Sequence, residues 1–86
     1  MAHFARIENT IVREVIVISN ADCGGGTFPA SEPIGQAFIS GPYPGGLALE
    51  GLYLQTSYSG SFRGCYAGSG FSYDPVLDVF VPPAAP

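Results

Sequence analysis

Apolar and polar positions alternate from the start of the chain. His3-Phe4-Ala5-Arg6-Ile7-Glu8 alternates, Asn9-Thr10 interrupts, and Ile11-Val12-Arg13-Glu14-Val15-Ile16-Val17-Ile18 resumes with heavy β-branching. Branched side chains suit a pleated, half-buried surface, and Asn tolerates the left-handed backbone of a tight turn, so the pattern predicts a β-hairpin. Val15-Ile16-Val17-Ile18 is continuously apolar, which predicts a central strand covered on both faces, inside the domain or by a partner. Ser19-Asn20-Ala21-Asp22-Cys23-Gly24-Gly25-Gly26-Thr27 reads as a loop, because three successive glycines bring backbone entropy and no side chains to pack.

The periodicity changes at Ser31. With Ser31 as cap, Glu32 and Pro33 in the first turn, and Ile34, Ala37 and Phe38 at i, i+3 and i+4, a short helix is predicted. Gly41-Pro42 ends it, and Ile34 and Phe38 dock it on the sheet. Leu47-Ala48-Leu49-Glu50-Gly51 stays open between strand and turn. Leu52-Tyr53-Leu54-Gln55-Thr56-Ser57-Tyr58 alternates as a strand, Ser59-Gly60 is a hairpin turn, and Ser61-Phe62-Arg63-Gly64-Cys65-Tyr66 is a weaker strand. A last hairpin runs from Phe71 through a turn at Pro75 to Val81, with Phe71, Tyr73 and Phe80 pairing across it. The expected fold is mostly β, or a small α+β unit: antiparallel hairpins forming a small sheet or barrel, with one short helix near 31–40. Residues 1–81 form a single domain, and the Pro-rich segment 82–86 is an extended tail.

Composition narrows the partners. A net charge of -4 provides no basic stripe for phosphates, so neither nucleic acid nor an anionic membrane is an expected partner. The apolar run at 15–18 is far short of the roughly 20 residues a spanning helix needs. Polar and charged groups at short intervals in the first eight residues do not resemble a secretory signal, so synthesis in the cytoplasm is expected. Only 12% of residues are charged while 47% are hydrophobic, which excludes a solvated disordered chain and leaves a weakly polar surface suited to protein neighbours. Twelve glycines and eight prolines are too many turn formers for a helical bundle.

Candidate chemistry is sparse. The glycine loop is followed by no Lys-Ser/Thr pair and opens no GxGxxG helix, so it is not a nucleotide cradle. His3 is the only histidine, and Cys23 and Cys65 lack the spacing of a metal knuckle, so no metal or other cofactor is expected. A cysteine nucleophile would need His3 as its base by tertiary accident. The two cysteines are open to pairing, although cytoplasmic synthesis favours free thiols. Glu8, Glu14, Asp22, Glu32, Glu50, Asp74 and Asp78 lie mostly beside turns, where carboxylates satisfy backbone amides. No enzymatic activity is expected.

Aromatic residues carry the larger signal. Phe62, Phe71 and Phe80 suit a small core, whereas Tyr43, Tyr53, Tyr58 and Tyr66 are candidates for a protein interface, Tyr43 and Tyr58 because they flank breaker-rich turns. Arg63, between Phe62 and Gly64, joins them as an interface candidate. It is placed to stack on a ring or to form an ordinary surface pair with an acid such as Asp74.

Several strings are specific in combination: Met1-Ala2-His3-Phe4-Ala5-Arg6-Ile7, the stretch from Val15 to Gly26, Gly35-Gln36-Ala37-Phe38, Gln55-Thr56-Ser57-Tyr58, Phe62-Arg63-Gly64, Tyr66-Ala67-Gly68, Tyr73-Asp74 and Asp78-Val79-Phe80-Val81-Pro82. In this order, over nearly the whole chain, they resemble a family of small proteins of tailed bacteriophages, common in marine and cyanobacterial phages. Members of that family continue with a Pro-Ser-Trp segment and Trp-containing repeats, and carry a Trp before the Gln-Thr-Ser-Tyr string where this chain has Tyr53-Leu54. By that comparison the chain reads as a trimmed member.

The resemblance implies a phage origin and carries over no catalytic residues. With the acidic, β-rich character of the chain, the expected role is a virion structural protein, made in the host cytoplasm and located in the virion. A capsid decoration or cement protein comes first, and a tail, neck or fibre accessory, or a non-virion tail or fibre assembly chaperone, are the alternatives. Its partners would be other virion proteins, the major capsid protein or tail and neck proteins, together with further copies of itself as a homo-oligomer. Two docking modes fit: edge-on strand addition by residues 12–18 or 71–81, or aromatic loops anchored by Tyr43, Tyr58 or Tyr66.

Overall fold

The first two strands form because the hairpin signal at Asn9-Thr10 is satisfied in full. In the computed structural model, which describes residues 1–83, β1 (Ala2–Glu8) and β2 (Ile11–Ile18) pair antiparallel from Ala2↔Ile18 to Glu8↔Ile11. Asn9 and Thr10 take φ values of 52° and 62°, the left-handed pair that matches the twist of the flanking strands. The register shifts between Arg6↔Glu14 and Ile7↔Val12, leaving Arg13 as the extra residue of a β-bulge.

The fold is mostly β, with five strands in one open antiparallel sheet and a single α-helix. Strand β3 (Leu52–Thr56) pairs with β1, β4 (Ser72–Asp74) with β2, and β5 (Val79–Val81) with β4, giving the order β3-β1-β2-β4-β5. The sheet does not close into a barrel.

Strand β1, rather than β2, is the buried strand. Phe4 and Ala5 are fully buried and Ala2 and Ile7 nearly so, whereas β2 buries only Val12 and Ile18 and leaves Val17 47% exposed. The small side chains of Ala2 and Ala5 let layers close over both faces of β1. On one face Ala2, Phe4, Ile18 and Tyr53 meet Cys23 and Ile39, while on the other Ala5, Ile7, Val12 and Leu54 meet Ala67 and Phe80. Strand β2 is the middle strand of the five, as expected, but it is not covered on both faces, since its β-branching reflects strand propensity rather than burial.

The first layer consists of a 3-10 turn at Asn20–Cys23 and helix α1 (Ser31–Ser40). Ser19 caps the 3-10 turn, its Oγ accepting the Asp22 amide at 3.3 Å, and Gly24 ends it in the left-handed conformation at φ 82°. Helix α1 has the predicted extent, and Phe38 packs on the core as expected, but the most buried face is a different one. Ser31, Gly35 and Ile39 point inward, while Ile34 is 47% exposed and Ala37 is exposed. Gly35 is the point of contact: a Cβ there would lie 2.3 Å from Phe4 Cζ and 3.0 Å from Cys23 Sγ. Ser31 does not cap the helix. It lies in the first turn, and its hydroxyl donates to Gln55 Oε1 at 2.7 Å.

Residues 47–51 form no strand. They fold back on the end of α1, where Phe38, Gly41 and Ile39 carbonyls accept the amides of Leu47, Ala48 and Leu49. The weak strand expected at 61–66 is also absent, because Arg63 and Gly64 take φ values of 56° and 82°, which no strand accommodates. The last hairpin forms as β4 and β5. Tyr73 lies opposite Phe80 with ring centroids 5.5 Å apart, and Phe71 packs on the same cluster without a cross-strand partner. Pro82 and Pro83 have no regular structure, and the rest of the expected tail, 84–86, lies outside the described residues.

Candidate functional site

Arg63 organises one end of the molecule. Its backbone reverses in the left-handed region, its carbonyl accepts the Phe80 amide at 2.9 Å, and its side chain returns inward to 8% exposure. There the guanidinium donates to both carboxylate oxygens of Glu32, to Asp78 Oδ1 at 2.8 Å and to the Gln55 carbonyl at 2.9 Å. It also lies 5.1 Å from the centroid of Phe28, which stacks on Phe62 at 3.9 Å with the rings 2° from parallel. Burial works against the charge, and the hydrogen bonds to Glu32 and Asp78 more than offset it, so Arg63 is held above its ordinary pKa. Its acids are thus Glu32 and Asp78 rather than Asp74, whose carboxylate instead accepts the Val76 and Leu77 amides. Nor is it a surface pair: the Arg63 guanidinium is engaged inside the chain.

This anchor fixes the loops beside the C-terminal end of β3. Ser57 Oγ accepts the Ser61 amide at 3.0 Å and shares hydrogen bonds with the Ser59 and Ser61 hydroxyls, and Thr56 Oγ1 accepts the Ala67 amide at 2.9 Å. The hydroxyls therefore hold Tyr58 and Tyr66 on a short, tied stretch of chain. His3, paired with Thr56 across β1 and β3, completes a cluster: its ring lies 5.5 Å from both Tyr58 and Tyr66, which are 5.3 Å from each other. Burial, aided by the nearby N-terminal ammonium, pushes the His3 imidazole below its ordinary pKa, so the cluster is neutral at pH 7. Tyr58 is 76% exposed.

One groove borders the cluster, and a second adjoins the first. The first, of about 230 Å³, is lined by Met1, His3, Ser57, Tyr58 and Phe62 among others. The other, about 470 Å³, runs past Asn20, Thr27, Phe28 and Ser61, and the two share Gln55 and Phe62. Apolar rings with hydroxyl and amide groups at their margins make a surface suited to packing and hydrogen bonding.

The other sequence candidates are dispersed. Tyr53 is 4% exposed and belongs to the core under α1, where burial and then Glu14 raise its phenol pKa. Tyr43 is 81% exposed, but it follows the C-terminal end of α1. Glu32 and Gln36 of α1 contact Gln55 and Tyr53 respectively, so Tyr43 and Tyr58 lie at opposite ends of β3. Both cysteines are free and lie against different core clusters, Cys23 in the layer under α1 and Cys65 in the opposite one. Among the described residues no group of three His, Cys, Asp or Glu side chains converges as a metal site. Phe28 and Glu32, the partners that turn Arg63 inward, escaped the sequence reading because they lie more than 30 residues away along the chain.

Compared with known proteins, the chain matches no family model, no curated protein and no solved structure.

Proposed function

We propose that this chain is a structural protein of a phage virion, acting as a capsid decoration protein that docks on a neighbouring virion protein through the Tyr58, Tyr66 and His3 cluster. The observation that carries the reading is the exposure of Tyr58 in an aromatic cluster with His3 and Tyr66, bordered by a groove. Tyrosine brings large contact area at small entropic cost, and an anchored patch binds without ordering a loop first. The phage assignment rests on the sequence resemblance, and the docking role on the patch.

Quantitative mass spectrometry of purified virions of the encoding phage tests the location. Tens to hundreds of copies per particle support decoration, and a handful shifts the reading to a neck, tail or fibre position. Absence overturns the virion reading in favour of an assembly chaperone. Docking is tested with Tyr58→Ala, which is expected to lose binding to particles while its circular dichroism and unfolding midpoint stay as in the parent. Unchanged binding by Tyr58→Ala and Tyr66→Ala removes the patch from the docking surface.

A further inference from the structure

Among the described residues, most outward backbone groups on the two end strands of the sheet are taken by the chain itself. On β3 the outward groups are those of Tyr53 and Gln55: Gln36 Nε2 donates to the Tyr53 carbonyl at 2.6 Å, the Gln55 amide donates to Glu32 Oε2 at 2.8 Å, and Arg63 donates to the Gln55 carbonyl. On β5 the outward groups are those of Phe80, which donates to the Arg63 carbonyl and accepts from Cys65 Sγ. Strand β2 is paired with β4 only near its start, at Ile11↔Ser72, with Val12 bonded to Gly70 and Phe71. Past the bulge at Arg13, no strand among the described residues lies beside it.

The pairing pattern shows which groups are open there. Because Tyr53 and Gln55 face outward, Leu54 and Thr56 bond inward to Ala5 and His3, so Phe4 and Arg6 turn their backbone groups to β2. Their partners Ile16 and Glu14 are thereby satisfied, and Val15 and Val17 direct their N–H and C=O groups away from the sheet. This segment carries no charge, no proline and no bulge, the devices that usually blunt an edge. The neighbouring charges are drawn aside: Glu14 accepts from Arg6 at 2.8 Å, and Arg13 pairs with Glu8 at 3.5 Å.

We infer that β2 is a dimerisation edge, pairing antiparallel with β2 of a second copy of this chain about a two-fold axis at Ile16. The segment is its own complement in this register. Val15 of each copy lies opposite Val17 of the other, so all four open donors and acceptors on each edge find partners. Ile16 lies opposite itself in the close, non-hydrogen-bonded position. Residues opposite one another also share a face, as a two-fold axis perpendicular to the sheet requires. The two sheets become one of ten strands, and Val17, an exposed apolar side chain, gains a cross-strand neighbour. The inference concerns a different margin from the tyrosine patch and does not depend on the virion reading.

The test is sedimentation velocity of the full chain, with Val17→Lys and Val17→Pro as edge-blocking variants and Tyr58→Ala as a control. The expected result is a concentration-dependent dimer for the parent and for Tyr58→Ala, and a monomer with an unchanged circular dichroism spectrum for both Val17 variants. Register is read independently by Ile16→Cys in a Cys65→Ser background, which is expected to cross-link to itself under mild oxidation, since non-bonded antiparallel pairs bring Cα atoms to about 4.5 Å. A monomeric parent, or a dimer that persists in both Val17 variants, overturns the inference. A dimer broken by Val17→Lys without Ile16→Cys cross-linking overturns the register.

Discussion

The guanidinium of Arg63 meets the carboxylate of Glu32 side on, Nη1 donating to Oε2 and Nη2 to Oε1. Thirty-one residues apart in sequence, the two tie helix α1 to the segment before β5, and both side chains are largely withdrawn from water, at 8% and 16% exposure. At that burial, removing Glu32 leaves Arg63 with Asp78 as its acid and the Gln55 carbonyl, a loss of about 1–3 kcal/mol rather than the fraction of a kcal/mol typical of surface pairs. Glu32→Gln, which conserves volume, is expected to lower stability by that amount in urea unfolding. Arg63→Lys restores the charge without the fork and is expected to fall between the two. A loss of under about 0.5 kcal/mol for Glu32→Gln would show a pair of the solvated kind.

Gly35 sets the distance between helix and sheet. Alanine raises helix propensity by about 1 kcal/mol, but its Cβ would lie 2.3 Å from Phe4 Cζ. The ring of Phe4 is fully buried in the cluster with Ile18, Cys23, Ile39 and Tyr53, so it yields only by moving its neighbours. Overpacking therefore outweighs propensity, and Gly35→Ala is expected to destabilise by about 1–3 kcal/mol. Gly26→Ala is the control: nothing lies within 4 Å of its added Cβ, and its midpoint is expected to match the parent. Thermal melts of the two variants side by side decide the point.

Asp78 and Tyr73 give the stability two pH limits. The Tyr73 hydroxyl donates to Asp78 Oδ1 at 2.6 Å, and this bond, with that from Arg63, holds the Asp78 carboxyl below its ordinary pKa. Its contribution is complete above the ordinary carboxylate value of about 4 and is lost as pH falls through the lower folded value. Burial, and then the bond to Asp78, push the Tyr73 phenol up to about 12. That contribution is complete below about 10, where a free phenol ionises, and is lost as pH rises toward the folded value. Unfolding midpoints across pH are expected to show a shallower acid limb for Asp78→Asn and a shallower alkaline limb for Tyr73→Phe. An alkaline limb unchanged in Tyr73→Phe would assign the loss to other groups.

Local signals in the sequence suffice for most elements, though not for the left-handed turn at Arg63-Gly64 that replaces the strand expected at 61–66, and they do not suffice for the faces. The turn at Asn9-Thr10, the extent of α1 and the β4–β5 hairpin follow from residues adjacent in the chain. The helix face did not, because an apolar-residue pattern favours Ile34 over Gly35, and close approach selects the residue with no side chain. The buried strand was misjudged for a related reason: Ala2 and Ala5 contribute little hydrophobicity yet admit layers on both sides of β1. At the candidate site, the exposure of Tyr58 follows from its place beside a turn. The inward fold of Arg63 depends on Glu32, Asp78 and Phe28, three distant positions that no local pattern links.

A sheet with two open edges can template its own growth without end, which is how strands build fibres. By capping three of the four outward backbone groups of Tyr53 and Gln55 with side chains of Gln36, Glu32 and Arg63, this chain hinders growth in one direction. In a protein with so few charges to keep copies apart, side chains spent on a strand margin act against open-ended stacking of sheets.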